Sequence, residues 1–117
     1  MEKRIKSKLW VDAHVRRCFA GGLPAFVIAK GDAERGGIIL KINGFDRGVT
    51  VLEQALDFDG LRVWRRMGAG AGALATVSEA DADASIRKRR SFDPDIWVIE
   101  IEDIKGTYTL DEPIEAL

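Results

Sequence analysis

The sequence predicts an α+β domain: a mostly antiparallel sheet of five to seven strands with two helices packed on one face. Three observations predict it. Short apolar runs are separated by turn residues between positions 25 and 67. A capped amphipathic segment follows Ser78. The stretch Pro94–Glu102 alternates in strand fashion, with Trp97, Ile99 and Ile101 on one side and Val98, Glu100 and Glu102 on the other.

Taken in order, Ile5, Ser7, Leu9 and Val11 alternate with Lys6, Lys8 and Trp10 as a weak strand. Asp12 then serves as an N-cap for a short helix over Ala13–Ala20, stopped by Gly21-Gly22 and Pro24. A helix beginning near Ser7 and taking in Trp10 is the alternative. Strands are expected at Ala25–Ala29, Ile38–Ile42, Val49–Leu56 and Leu61–Met67, joined as an antiparallel meander because each connection is too short for a parallel crossover. Gly68–Ala73 reads as a flexible linker. Ser78 opens a second helix with Asp81 in a capping-box position, acids at its start and Arg87–Arg90 at its end, and Pro94 closes it. Trp97–Glu102 and Thr107–Leu110 then form a hairpin. The expected core is Val15, Ile38, Leu40, Ile42, Val63, Ile86, Trp97, Ile99 and Ile101.

At 117 residues, 46% hydrophobic and 32% charged, the chain is expected to fold as one domain over residues 1–117. No run approaches the roughly 18 apolar residues of a membrane span. No apolar signal region follows the charged N-terminus. The single cysteine excludes an internal disulfide framework. A cytoplasmic location and no membrane association are the expectations. The net charge of −1 hides an uneven distribution. Residues 1–17 are mainly basic and residues 97–117 mainly acidic.

Chemistry-bearing motifs are scarce. Gly68–Ala73 does not open directly into a helix and lacks the Gly-Lys-Ser/Thr of a phosphate loop. His14 and Cys18 share a helix face, but a structural zinc site takes four ligands and no other His or Cys exists. They read as a buried pair. The carboxylate pairs Asp57/Asp59 and Asp93/Asp95 bracket turns and suit local turn chemistry. No catalytic residue, cofactor or metal is assigned.

Arg62, Trp64 and Arg66 project from one face of a strand and form a possible binding surface, since an aromatic flanked by guanidinium groups suits base stacking with phosphate contact. The opposing reading is a half-buried tryptophan under arginine stems. The sequence pI near 5.8 lacks the basic excess of a nucleic-acid reader.

Lys8-Leu9-Trp10-Val11, Arg16-Arg17-Cys18, Lys30-Gly31-Asp32, Asp93-Pro94-Asp95-Ile96-Trp97-Val98-Ile99-Glu100-Ile101-Glu102-Asp103 and Leu110-Asp111-Glu112-Pro113 together resemble an uncharacterised bacterial family, the domain of unknown function numbered 1491. The resemblance covers nearly the whole chain. It implies a bacterial cytoplasmic protein and supplies no activity, substrate or catalytic residue.

The leading functional expectation is a non-enzymatic interaction or adaptor module with an unknown protein partner. The alternatives are nucleic-acid binding through Arg62, Trp64 and Arg66, and a small-molecule-binding protein or hydrolytic enzyme, which requires a concave pocket.

Overall fold

The computed structural model describes residues 5–67 and 76–115. Helix α1 spans Ser7–Ala20 and strand β1 Ala25–Ala29. Strand β2 spans Ile38–Asn43, β3 Val49–Leu56 and β4 Arg62–Arg66. Helix α2 spans Glu79–Phe92 and strand β5 Trp97–Glu102. The expected linker Gly68–Ala73 lies outside the described residues.

The α+β class with a mostly antiparallel sheet and two helices is observed. The sheet has five strands in the order β1-β5-β2-β3-β4. β2, β3 and β4 form the expected antiparallel meander. β1 does not join it. β5 lies between β1 and β2, antiparallel to the former and parallel to the latter. The parallel pair follows from the route of the chain: β5 is reached from β4 through α2, a connection long enough for a crossover.

The helices lie on opposite faces, not on one. Val11 and Cys18 of α1 pack with Ile38, Leu40, Leu52, Trp64, Trp97, Ile99 and Ile101. Ala82 and Ile86 of α2 pack with Ile39, Val49, Val51, Ile96 and Val98. The central strands carry apolar residues on both faces, so both must be covered. Ile38-Ile39-Leu40 and Trp97-Val98-Ile99 are continuous apolar runs whose odd and even members each find a helix.

α1 begins at Ser7, the alternative start, and the expected strand from Ile5 to Val11 is absent. Asp12 sits inside the helix and accepts from Lys8 Nζ at 2.8 Å, an i,i+4 pair rather than a cap. The first amides are satisfied from elsewhere: Ser7 N–H donates to the Glu34 carbonyl and Lys8 N–H to the Ala33 carbonyl. The buried Ser7 hydroxyl donates to the Gly36 carbonyl at 2.6 Å. A long-range dock thus replaces a local N-cap, which no local pattern announces. At α2 the expected cap is present, with Ser78 Oγ accepting from Asp81 N–H.

The expected hairpin after β5 is also absent. Asp103 is buried, and its carboxylate accepts from Thr107 N–H and Tyr108 N–H at 2.9 and 3.0 Å. These bonds coil residues 103–108 into a loop instead of a returning strand. Tyr108 and Leu110 then pack against the α1-side core. Of the expected core, Ile38, Leu40, Val63, Ile86, Trp97, Ile99 and Ile101 are buried, and Val15 and Ile42 pack against the edge of the same cluster.

Candidate functional site

Arg62, Trp64 and Arg66 share the α1 face of β4, as their alternation requires. They do not make an open surface. Trp64 is 0% exposed. Trp10 of α1 covers it, with ring centroids 5.5 Å apart. Its indole N–H donates to Glu112 Oε1 at 3.1 Å, and its backbone pairs with Pro113 and Glu115. The stacking platform expected of Trp64 is therefore a core element under α1 and the C-terminal segment. It also separates the two arginines. Arg62 lines one cavity and Arg66 another.

The Arg62 cavity holds about 250 Å³. It lies between the start of α1, the loop carrying Arg35, Gly36 and Gly37, and the sheet positions Ile38, Gln54, Leu56 and Arg62. No acidic side chain lines it among the described residues. Gln54 lines it too, and its side-chain nitrogen is buried without a hydrogen-bond partner among the described residues. Such an orphan costs about 1–3 kcal/mol. The Arg66 cavity is wider and more open, about 620 Å³, and mixes Arg47 and Arg66 with Asp103, Asp111 and Glu112.

His14 and Cys18 are both buried, as the shared helix face implies. His14 is held on two sides. Trp10 stacks on it at 4.4 Å and 14°, and its Nε2 is hydrogen-bonded to the Tyr108 hydroxyl at 2.5 Å. Burial, helped by the Arg17 charge, pushes the imidazole down to about 4, so it is neutral at physiological pH. Burial also pushes the Cys18 thiol up, which makes it a poor nucleophile. No group of three or more His, Cys, Asp or Glu side chains placed to hold a metal occurs among the described residues.

A charged cluster that sequence reasoning missed lies under α2. Lys41 is 3% exposed and meets Asp83 at 2.8 Å, Glu79 at 2.9 Å and Glu100 at 3.4 Å. Burial alone would lower its pKa, but the hydrogen bonds to Asp83 and Glu79 and the Glu100 charge outweigh burial and raise it. The signal was present as a lone lysine within Ile38–Ile42 and acids four apart on α2. Only the tertiary fold joins them.

The outer edge of the sheet is the other exposed feature. β1 is a terminal strand, and Phe26, Val27 and Ile28 are exposed in succession. Phe19, at the end of α1, meets Phe26 edge-on at 6.3 Å and extends the apolar surface. Glu102 N–H donates to the Pro24 carbonyl, and Ala25 is paired with Ile101 and Val27 with Ile99. Antiparallel alternation then points the N–H and C=O groups of Ala25 and Val27 away from β5. Beside this edge runs a groove of about 530 Å³ lined by Ile28, Ala29, Ile86 and Val98, with Arg87 and Arg90 on its rim. Among the described residues Arg90 donates to the carbonyls of Lys30, Pro94 and Ile96 and meets no carboxylate. Asp83, also at the groove, is held by Lys41.

The motifs shared with the resembled family meet one another in space. Gly31 lies so close to Asp95 that an added Cβ would stand 2.0 Å from its carbonyl oxygen. Asp32 N–H donates to that carbonyl, and the Asp32 carbonyl accepts from the Trp97 indole at 2.7 Å. Trp10 covers Trp64, and Glu112 and Pro113 hold Trp64 from the other side. These are framework contacts.

Fold and surface together define a small α+β domain with a five-stranded mixed sheet between two helices. The chain belongs to the DUF1491 family of proteins of unknown function, whose model matches residues 5–111. It is similar to a DUF1491 family protein from Caulobacter crescentus CB15, at 34% identity. The crystal structure of that protein gives a TM-score of 0.82 over 96% of this chain and 100% of that one. Its NMR structure gives 0.80 over 98% and 100%. The solution structure of protein Atu0922 from A. tumefaciens is 31% identical, with a TM-score of 0.72 over 97% of this chain and 100% of that one. No curated protein gives a significant match.

Proposed function

We propose that this protein is an interaction module that adds a partner's extended segment to the free edge of β1. The observation that carries the reading is the succession Phe26-Val27-Ile28, exposed on a terminal strand. Natural edge strands are usually protected by charge, proline, a bulge or a covering element; among the described residues β1 carries only the register shift between Val27 and Ala29. Strand addition draws affinity from main-chain hydrogen bonds and specificity from alternate side chains. The occupant is an acidic, apolar peptide: its apolar positions fill the groove at Ile28 and Ile86, and its carboxylates answer Arg87 and Arg90. A second copy of this chain would bring guanidinium groups of the same sign.

The test is selection from a displayed peptide library, followed by affinity measurement on the enriched peptides. Enrichment of acid–apolar alternation is expected, lost in Val27→Pro and weakened in Arg87→Glu. Val27→Pro removes an outward N–H without taking a bond from the sheet, so the fold survives. No enrichment, enrichment indifferent to Val27→Pro, or a wild-type dimer that Val27→Pro dissociates would each overturn the proposal.

A further inference from the structure

The cavity beside Arg62 gathers two cationic side chains and no acidic one among the described residues. We infer that it binds a small organic anion, a carboxylate or phosphate carried on a compact apolar body. Its cationic groups are Arg35 and Arg62, and neither guanidinium forms an ion pair among the described residues. Gln54 also lines the cavity, and its side-chain nitrogen is buried with no partner among the described residues. Two guanidinium forks and an amide donor form a recognition set for an oxyanion, since planar bidentate donors match carboxylate and phosphate geometry.

The lining also includes apolar side chains. Trp10, Ile38 and Leu56 offer surfaces to a hydrophobic body, and the volume of about 250 Å³ restricts the ligand to a compact one. The wall is firmly held. Gly36 and Gly37 belong to a loop fixed by the Ser7 hydroxyl bond to the Gly36 carbonyl and by Trp97 N–H donating to the Gly37 carbonyl. The first two amides of α1 are already committed to Glu34 and Ala33, so recognition rests on the side chains and not on the helix end. Trp10 connects the cavity to the core, because the same ring stacks on His14 and covers Trp64. This site stands apart from the β1 edge and does not depend on it.

The experiment uses the full chain and two probes, phenyl phosphate and benzoate, with benzyl alcohol as the neutral control. Binding is followed by NMR through the Trp10 indole and Gln54 side-chain amide resonances. Saturable shifts at both groups are expected with at least one anion and not with the alcohol. Arg62→Leu is expected to weaken binding by roughly tenfold or more, Arg35→Leu to act in the same direction, and Arg62→Lys to fall between. A response at only one of the two probes identifies which oxyanion the site takes and supports the inference. Absence of saturation with both anions, equal binding of the alcohol, or affinity unchanged in both leucine variants would overturn it. Both arginines lie outside the buried core, so these variants retain the fold.

Discussion

Replacing Trp64 by alanine separates a core tryptophan from a surface stacking platform. An aromatic side chain of this size buries about 150–250 Å², equivalent to about 4–6 kcal/mol at the usual area coefficient. Unfolded chains already bury part of that area, which brings the expected loss to about 3–5 kcal/mol. The lost indole bond to Glu112 adds little, because that carboxylate is partly solvated. Against a total stability of about 5–15 kcal/mol, the variant approaches the threshold of folding. Urea titration followed by far-ultraviolet circular dichroism is the assay. With a slope of about 1–3 kcal/mol per molar, the midpoint is expected to fall by more than about 1 M at unchanged slope. Trp64→Phe, which keeps an aromatic ring under Trp10, should recover part of the loss. A Trp64→Ala midpoint equivalent to less than about 0.5 kcal/mol of destabilisation, the ordinary range for a surface site, would refute the burial argument.

Three further outcomes follow from the geometry. His14 has a folded-state pKa near 4 against an unfolded value of 6.5, so the unfolded chain binds the extra proton first as pH falls. Its contribution is present above about pH 6.5 and is lost progressively toward pH 4, about 3 kcal/mol in all; subtracting the stability profile of His14→Gln from wild type should isolate that slope. Lys41→Met leaves three carboxylates facing one another, and because all three retain some solvent exposure the cost at neutral pH is about 1–3 kcal/mol, as thermal melts would show. Gly31→Ala drives a Cβ into the Asp95 carbonyl, a backbone atom that cannot step aside, and should cost about 2–3 kcal/mol in chemical denaturation.

Much of the fold was legible because short-range rules governed it. The β2–β4 meander followed from turn residues at close spacing, and α2 from a cap, charge polarity and proline. The errors arose where long-range partners overrode local signals. The alternation before Asp12 looked like a strand because the α1 amides are satisfied by Ala33 and Glu34, outside the window that a cap pattern reads. Thr107–Leu110 looked like a returning strand because a buried aspartate that captures two amides is not distinguishable in sequence from an exposed one. Helices on opposite faces were implied by the continuous apolar runs of β2 and β5, and periodicity alone had assigned only one face of each. Of the candidate site, Trp64 became core, while Arg62 and Arg66 each line a separate cavity. Gln54 and Arg35, which line the Arg62 cavity, had no sequence signal, since an orphaned amide exists only once the surrounding core has formed.

The proposed role of β1 is to offer its outer edge to an acidic extended segment. Its most direct test is NMR mapping on the labelled full chain with a capped peptide alternating glutamate and valine over roughly seven residues, about the length of a strand. Saturable shifts confined to Ala25–Ala29 and the Arg87–Arg90 rim are expected, with slowed hydrogen exchange at the outward amides of Ala25 and Val27. Shifts centred elsewhere, or amides at those two positions that exchange as fast with saturating peptide as without it, would contradict that role.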